Sequence, residues 1–151
     1  MITVRPARIE DAEAMSALLV ASISELCFAD HQHQPEALAR WLANKTPEGV
    51  RGFFANPQNR LFVAEQDGAL AAVGGCNDAR EIILNYVAPA HRFSGASTAL
   101  LAAMEAALGP GQATLSSTLT ALRFYLRRGW SETGALDRYA GMIAYPMRKQ
   151  L

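Results

Sequence analysis

Between Ile82 and Leu101 an apolar run that ends at Val87 gives way, through Arg92-Phe93-Ser94-Gly95-Ala96-Ser97, to a second apolar stretch. The first run reads as a strand stopped by Pro89, and Thr98 to Leu108 reads as a helix. A small-residue turn opening onto a helix leaves several backbone N–H groups unpaired, with the positive end of the helix dipole behind them. That arrangement suits a phosphate or pyrophosphate. Arg92 adds a local cation, Gly95 allows close approach, and Ser94, Ala96, Ser97 and Thr98 line the turn. Phe93 is the discordant residue, because its backbone N–H can donate while its side chain resists φ > 0. An ordinary strand-to-helix turn, with Gly95 supplying only flexibility, remains open on these residues alone.

A second constellation, Thr118-x-x-Ala121-x-x-Phe124-Tyr125-x-x-x-Gly129-Trp130, follows the strand candidate Gln112 to Ser117. Ala121, Phe124 and Tyr125 share a helical face. Arg127 and Arg128 suit a last helical turn, and Gly129 a left-handed cap. By residue type Tyr125 is either a core aromatic with a satisfied hydroxyl or a proton donor.

Taken in order, the two motifs resemble those of the GCN5-related N-acetyltransferases. Relatives read Arg/Gln-x-x-Gly-x-Gly/Ala in the first motif and Asn-x-x-Ala-x-x-Phe-Tyr-x-x-x-Gly-Phe in the second. The resemblance implies an α/β fold with a mixed, mostly antiparallel central sheet of about six to seven strands and helices on both faces. It implies acetyl transfer from acetyl-CoA, as acyl donor, to a primary amine of a small molecule or protein. Arg92, Phe93, Ser94, Gly95, Ala96, Ser97, Thr98 and Thr118 would then bind the cofactor, and the main chain of Tyr86 and Val87 would hold its acetyl end. Tyr125 inherits the role of acid toward the departing thiolate. Glu81 is the candidate base, acting directly or through water, with Asn85 as a water-positioning or substrate-binding partner. Asp30 and His31, with His33, fall in the segment Leu26 to Gln34 that walls the acceptor site in relatives. Phe93 and Ser97 depart from the pattern, standing where relatives carry Gly and Gly or Ala. They keep a catalytically silent acyl-CoA-binding or regulatory module as the alternative, and a purely structural α/β domain as a third reading. Retention of Arg92, Gly95 and Tyr125 favours the enzyme.

The elements that must position these residues alternate along a single expected domain, 1–151. Ile2 to Arg5 is a strand, and a helix starts near Ile9. Pro35 opens a second helix, and Thr46-Pro47 caps and opens a third. Leu61 to Glu65 and Leu70 to Cys76 form a hairpin about Asp67-Gly68. Arg80 to Val87 is the strand that feeds the loop, and simple alternation puts Glu81, Ile83, Asn85 and Val87 on one face. Trp130 to Thr133 and Met142 to Met147 close the sheet.

Half of the 151 residues are hydrophobic, enough for a sizeable core. Lys and Arg number 14 and so do Asp and Glu, without a like-charge block, which argues against a nucleic-acid surface. No apolar run nears the roughly 20 residues of a membrane span, and the N-terminus lacks the layout of a signal peptide. Two cysteines make neither a disulfide framework nor a ligand set, so no metal is expected, and His31-x-His33 lacks the further ligands a closed site needs. The expectation is a reduced, cytoplasmic protein. A homodimer is open, since relatives often form one.

Overall fold

The Asp67-Gly68 turn seeds the sheet. In the computed structural model, which describes residues 1–151, Asp67 (φ 53°) and Gly68 (φ 77°) are both left-handed, as a tight hairpin requires. They join β2 (Asn59–Gln66) to β3 (Ala69–Asn77). β1 (Ile2–Pro6) pairs antiparallel with the outer edge of β2, and β4 (Glu81–Val87) with that of β3. β5 (Gln112–Ser117) lies parallel to β4, the one parallel pairing in the sheet. After it come β6 (Ser131–Glu132), β7 (Asp137–Tyr139) and β8 (Met142–Gln150), with β8 antiparallel to β5. The order is β1-β2-β3-β4-β5-β8-β6, with β7 pairing β8 off this path. The sheet is therefore mixed and mostly antiparallel, as expected, with eight strands. The strand that sequence reading passed over is β7, an exposed Asp-Arg-Tyr with no apolar alternation to reveal it.

Helices cover both faces. α1 (Ala12–Leu26), α2 (Phe28–His31), α3 (Pro35–Leu42) and α4 (Pro47–Ala55) precede β2, while α5 (Ala96–Leu108) and α6 (Leu122–Arg127) flank β5. Met15, Leu19 and Val50 of α1 and α4 pack on Val63, Val73 and Leu84. On the other face Leu100, Leu101 and Met104 of α5 meet Ala72, Ile82 and Leu115. That contact is so close that a Cβ on Gly74 would stand 2.9 Å from the Leu100 side chain.

Two irregularities in β4 govern the site. Cys76 pairs with Ile82 but Gly75 pairs with Leu84, so Ile83 is an extra, bulged residue. Ile82 consequently packs with α5, Leu84 and Tyr86 pack with α1, and Val87 returns to the α5 side. This corrects the simple alternation: Glu81 and Asn85 lie on opposite faces of the sheet, one on each side of the bulge. In addition, β4 and β5 pair only at Glu81↔Thr114 and Ile82↔Leu115. Beyond those pairs the sheet is split.

Candidate active site

The split is held open from its base. Arg80, at φ 61°, sends its guanidinium to the carbonyls of Leu108, Gly109 and Gln112 at 2.7–2.8 Å, tying the start of β4 to the end of α5 and the start of β5. It satisfies carbonyls that a helix C-terminus leaves unpaired. The strands diverge from this fixed point; a cleft opens toward α5, α6 and the end of α1, and a smaller cavity toward α3, α4 and β7. Tyr86 and Thr118 line both.

The cleft, of about 500 Å³, runs from Asn85–Val87 along the N-terminus of α5 to α6. Gly95 caps α5 at φ 92°, a conformation that suits glycine. Ser94 N donates to His91 O and Ala96 N to Ser94 Oγ, whereas the N–H groups of Phe93, Gly95, Ser97 and Thr98 find no acceptor in the chain. Phe93 takes φ 64°, the left-handed value that favours the Gly of relatives. The residue is 91% exposed at the edge of the cleft, with the Arg92 guanidinium 4.8 Å from its ring centroid. His91, Arg92, Arg123, Arg127 and Arg128 line the cleft, and no carboxylate does. Arg128 donates to Thr98 Oγ1 at 2.6 Å and lies 3.9 Å over Phe124, joining α6 to the first turn of α5. Sequence reading took Arg127 and Arg128 only as helix-ending cations and missed the basic wall they build with Arg123.

At the inner end stands Tyr125, 6% exposed, its ring edge-on to Phe124 and Trp130. Burial pushes its hydroxyl up to about 12, and the Asn85 amide opposes that shift. The hydroxyl is therefore protonated at neutral pH and available as a donor. Asn85 Oδ1 is shut off from solvent without a hydrogen-bond partner. Thr118 Oγ1 accepts from Ala121 N at 3.0 Å and so starts the turn that delivers α6. Cys27 also lines the cleft, but burial pushes its thiol up to about 12, which removes it as a nucleophile.

The residues assigned to the acceptor wall behave differently. The segment Leu26 to Gln34 is partly helical, as α2, and ends with Gln32 and His33 at φ 49° and 55°. His31 is 1% exposed; its Nδ1 accepts from His33 N at 3.1 Å, so Nε2 carries the proton donated to Ile23 O at 3.0 Å. With both nitrogens engaged, the ring has none left for an acceptor, which corrects the sequence assignment of His31. Asp30 accepts from Leu119 N, Thr120 N and Thr120 Oγ1 at 2.6–3.2 Å, fixing the loop before α6. Its place is structural support at the rim of the second cavity.

That cavity, of about 300 Å³, contains Glu81 and three residues that sequence reading did not single out for chemistry: Trp41, Lys45 and Tyr139. Trp41 Nε1 donates to Tyr86 Oη at 3.3 Å. Burial raises the Tyr86 pKa, so that hydroxyl stays neutral. Glu81 accepts from Asn77 Nδ2 at 3.3 Å. Only convergence of α3, the turn before α4 and β7 creates this group, and no local motif announces it.

A mixed sheet split at one parallel pair, with a phosphate-type turn beside the split, defines an acetyltransferase domain. The sequence profile of the acetyltransferase (GNAT) domain matches residues 29–151, and the chain belongs to that family. Among solved structures it is similar to a GCN5-related N-acetyltransferase from Rhodopseudomonas palustris (22% identity, covering 99% of this chain and 95% of that one, TM-score 0.86). It is also similar to PaiA N-acetyltransferase from Thermoplasma acidophilum in complex with coenzyme A (18%, 100% and 99%, TM-score 0.80). A third is the ribosomal-protein-S18-alanine N-acetyltransferase from Escherichia coli (19%, 99% and 94%, TM-score 0.67). No curated protein matches the sequence. No helix is long and apolar enough to cross a membrane.

Proposed function

We propose that the protein transfers an acetyl group from acetyl-CoA to a primary amine of a small molecule or protein. The observation that carries this reading is the row of unpaired N–H groups at Phe93, Gly95, Ser97 and Thr98, facing a cleft with four arginines and no acid. Such a row fits the pyrophosphate of coenzyme A. When bound, acetyl-CoA supplies the acetyl group as an activated thioester.

Each residue then has a defined task. The free edge of β4 from Leu84 to Val87, unpaired beyond the split, offers main-chain groups along which the pantetheine arm lies. Tyr125, neutral and buried, holds a proton for the departing thiolate. Glu81, on the opposite side of the sheet, faces the acceptor cavity and takes the amine proton, directly or through water. Asn85 orients the Tyr125 hydroxyl from the cleft side, so the bulge at Ile83 separates acid and base between the two faces.

Calorimetry with acetyl-CoA tests the reading. The native protein should bind with a micromolar Kd, and Gly95→Asp should abolish binding while keeping the native circular dichroism. A Cβ at Gly95 has room, its nearest neighbour being Ile2 Cδ1 at 3.8 Å, so the loss comes from charge against the pyrophosphate and from φ 92°. Absence of binding by the native protein would sink the proposal. Release of CoA in an amine panel then measures turnover.

A further inference from the structure

The cavity behind β4 holds a charge that the fold does not neutralise. Lys45 is 2% exposed, yet it takes part in no salt bridge. Its Nζ donates to Asn44 Oδ1 at 2.6 Å and to Tyr139 Oη at 3.4 Å, and lies 6.0 Å and 5.8 Å from the ring centroids of Phe53 and Tyr139. Burial lowers its pKa to about 8. A buried ammonium without an anion is costly, and it persists only where the surroundings fix it.

Here the backbone fixes it. Ser16 Oγ donates to Lys45 O at 2.5 Å from α1. α4 approaches so closely that a Cβ on Gly49 would lie 2.1 Å from Asn44 O. Thr46 Oγ1 caps the same helix by accepting from Gly49 N at 3.0 Å. The lysine is thus presented to the cavity by contacts from two helices, none of which involves its charge.

Two acids share the cavity with it. Asp30 is spent on the Leu119–Thr120 loop, whereas Glu81 keeps only Asn77 as a side-chain partner and forms no ion pair with Lys45. Trp41, Ile83, Met142 and Ile143 also line the cavity, with Ser116, Ser117 and Thr118 from β5 and the turn after it. A cation and an uncommitted acid, unpaired with each other in one largely hydrophobic cavity, complement a zwitterion with an apolar body.

We propose that Lys45 is the specificity-determining residue of the acceptor cavity, pairing with a carboxylate, so that the acceptor class is apolar amino acids and related carboxylated amines. The amine then points to Glu81 and the carboxylate to Lys45. This proposal rests on the acetyl-transfer reading above and names the acceptor for the same site.

The test uses L-leucine, L-methionine, L-phenylalanine and 6-aminohexanoate, each against its carboxamide, with the full chain. Binding is measured by calorimetry with and without CoA, and kcat/KM by CoA release. At least one acid should exceed its amide by tenfold or more in the native protein. In Lys45→Met, an uncharged side chain of similar length, that ratio should fall to near one, while the Kd for acetyl-CoA changes less than threefold. Equal affinity for acids and amides, binding of neither, or an undiminished preference in Lys45→Met overturns the proposal. The native ratio alone decides if the variant does not fold. If acetyl-CoA fails to bind, the acetyl-transfer reading falls by itself, and binding of the acids without CoA still decides the role of Lys45.

Discussion

At the residue scale, Tyr125 separates two properties that sequence could not distinguish. Its ring belongs to the main core, in contact with Trp130 and Phe124, as the bland reading of a Phe-Tyr pair required. Its hydroxyl nevertheless lines the cleft beside Asn85, a residue with an unpaired acceptor. Tyr125→Phe keeps the ring and removes only the hydroxyl, so acetyl-CoA affinity and melting temperature should change little. The rate of acetyl transfer should drop by about 10²-fold, the usual scale for losing one general acid. Steady-state kinetics beside calorimetry would show it, and an unchanged kcat removes Tyr125 as the acid. That Gly95, Arg92 and Tyr125 line one cleft was legible because their motifs are local. The role of Asp30 was not, since its partners Leu119 and Thr120 lie about ninety residues along the chain.

At the scale of elements, α4 shows how two glycines in one helix carry opposite meanings. Gly49 lies where a methyl group would overlap the Asn44 carbonyl, and the contact is with backbone, which cannot swing aside. Gly52, three residues on, leaves open space: a methyl group there would meet nothing within 4 Å. Gly49→Ala should therefore destabilise by more than about 2 kcal/mol through overpacking. Gly52→Ala should stabilise by roughly 0.5–1 kcal/mol through helix propensity. Urea unfolding of both variants checks the pair, and similar effects from the two would contradict the packing. Nothing in Pro-Glu-Gly-Val-Arg-Gly tells these glycines apart, because the distinction lies in the turn that α4 packs against. A bulge on this strand is what the family resemblance implies, but its position was hidden for a similar reason: Ile82, Ile83 and Leu84 are all apolar, so no polar residue marks where alternation slips. The hairpin, the Thr46 cap and the order of elements were legible because each depends on neighbours in sequence.

At the scale of the whole molecule, charge is balanced in number and segregated in space. Acidic and basic residues both number 14, so the formal net charge is zero, yet the larger cleft collects four arginines and no carboxylate. The remaining surface carries the balancing negative excess, and an anionic ligand is drawn to one mouth rather than to the molecule at large. The sequence total concealed this polarity, because Arg92 and the three arginines of α6 and its C-cap converge only when α6 docks beside α5. Binding of acetyl-CoA in that open cleft should weaken markedly with salt, with Kd rising at least fivefold between about 50 and 500 mM NaCl as exposed pairs are screened. Arg127→Gln should flatten the dependence. A carboxylate beside the buried Lys45 is shielded from counterions, so its affinity should change much less over the same range. Parallel calorimetric titrations of the two ligands compare the slopes directly. Equal slopes would mean that both ligands meet the same solvent-exposed charge, contrary to a split sheet that sets a wall of arginines on one side and the buried Lys45 on the other.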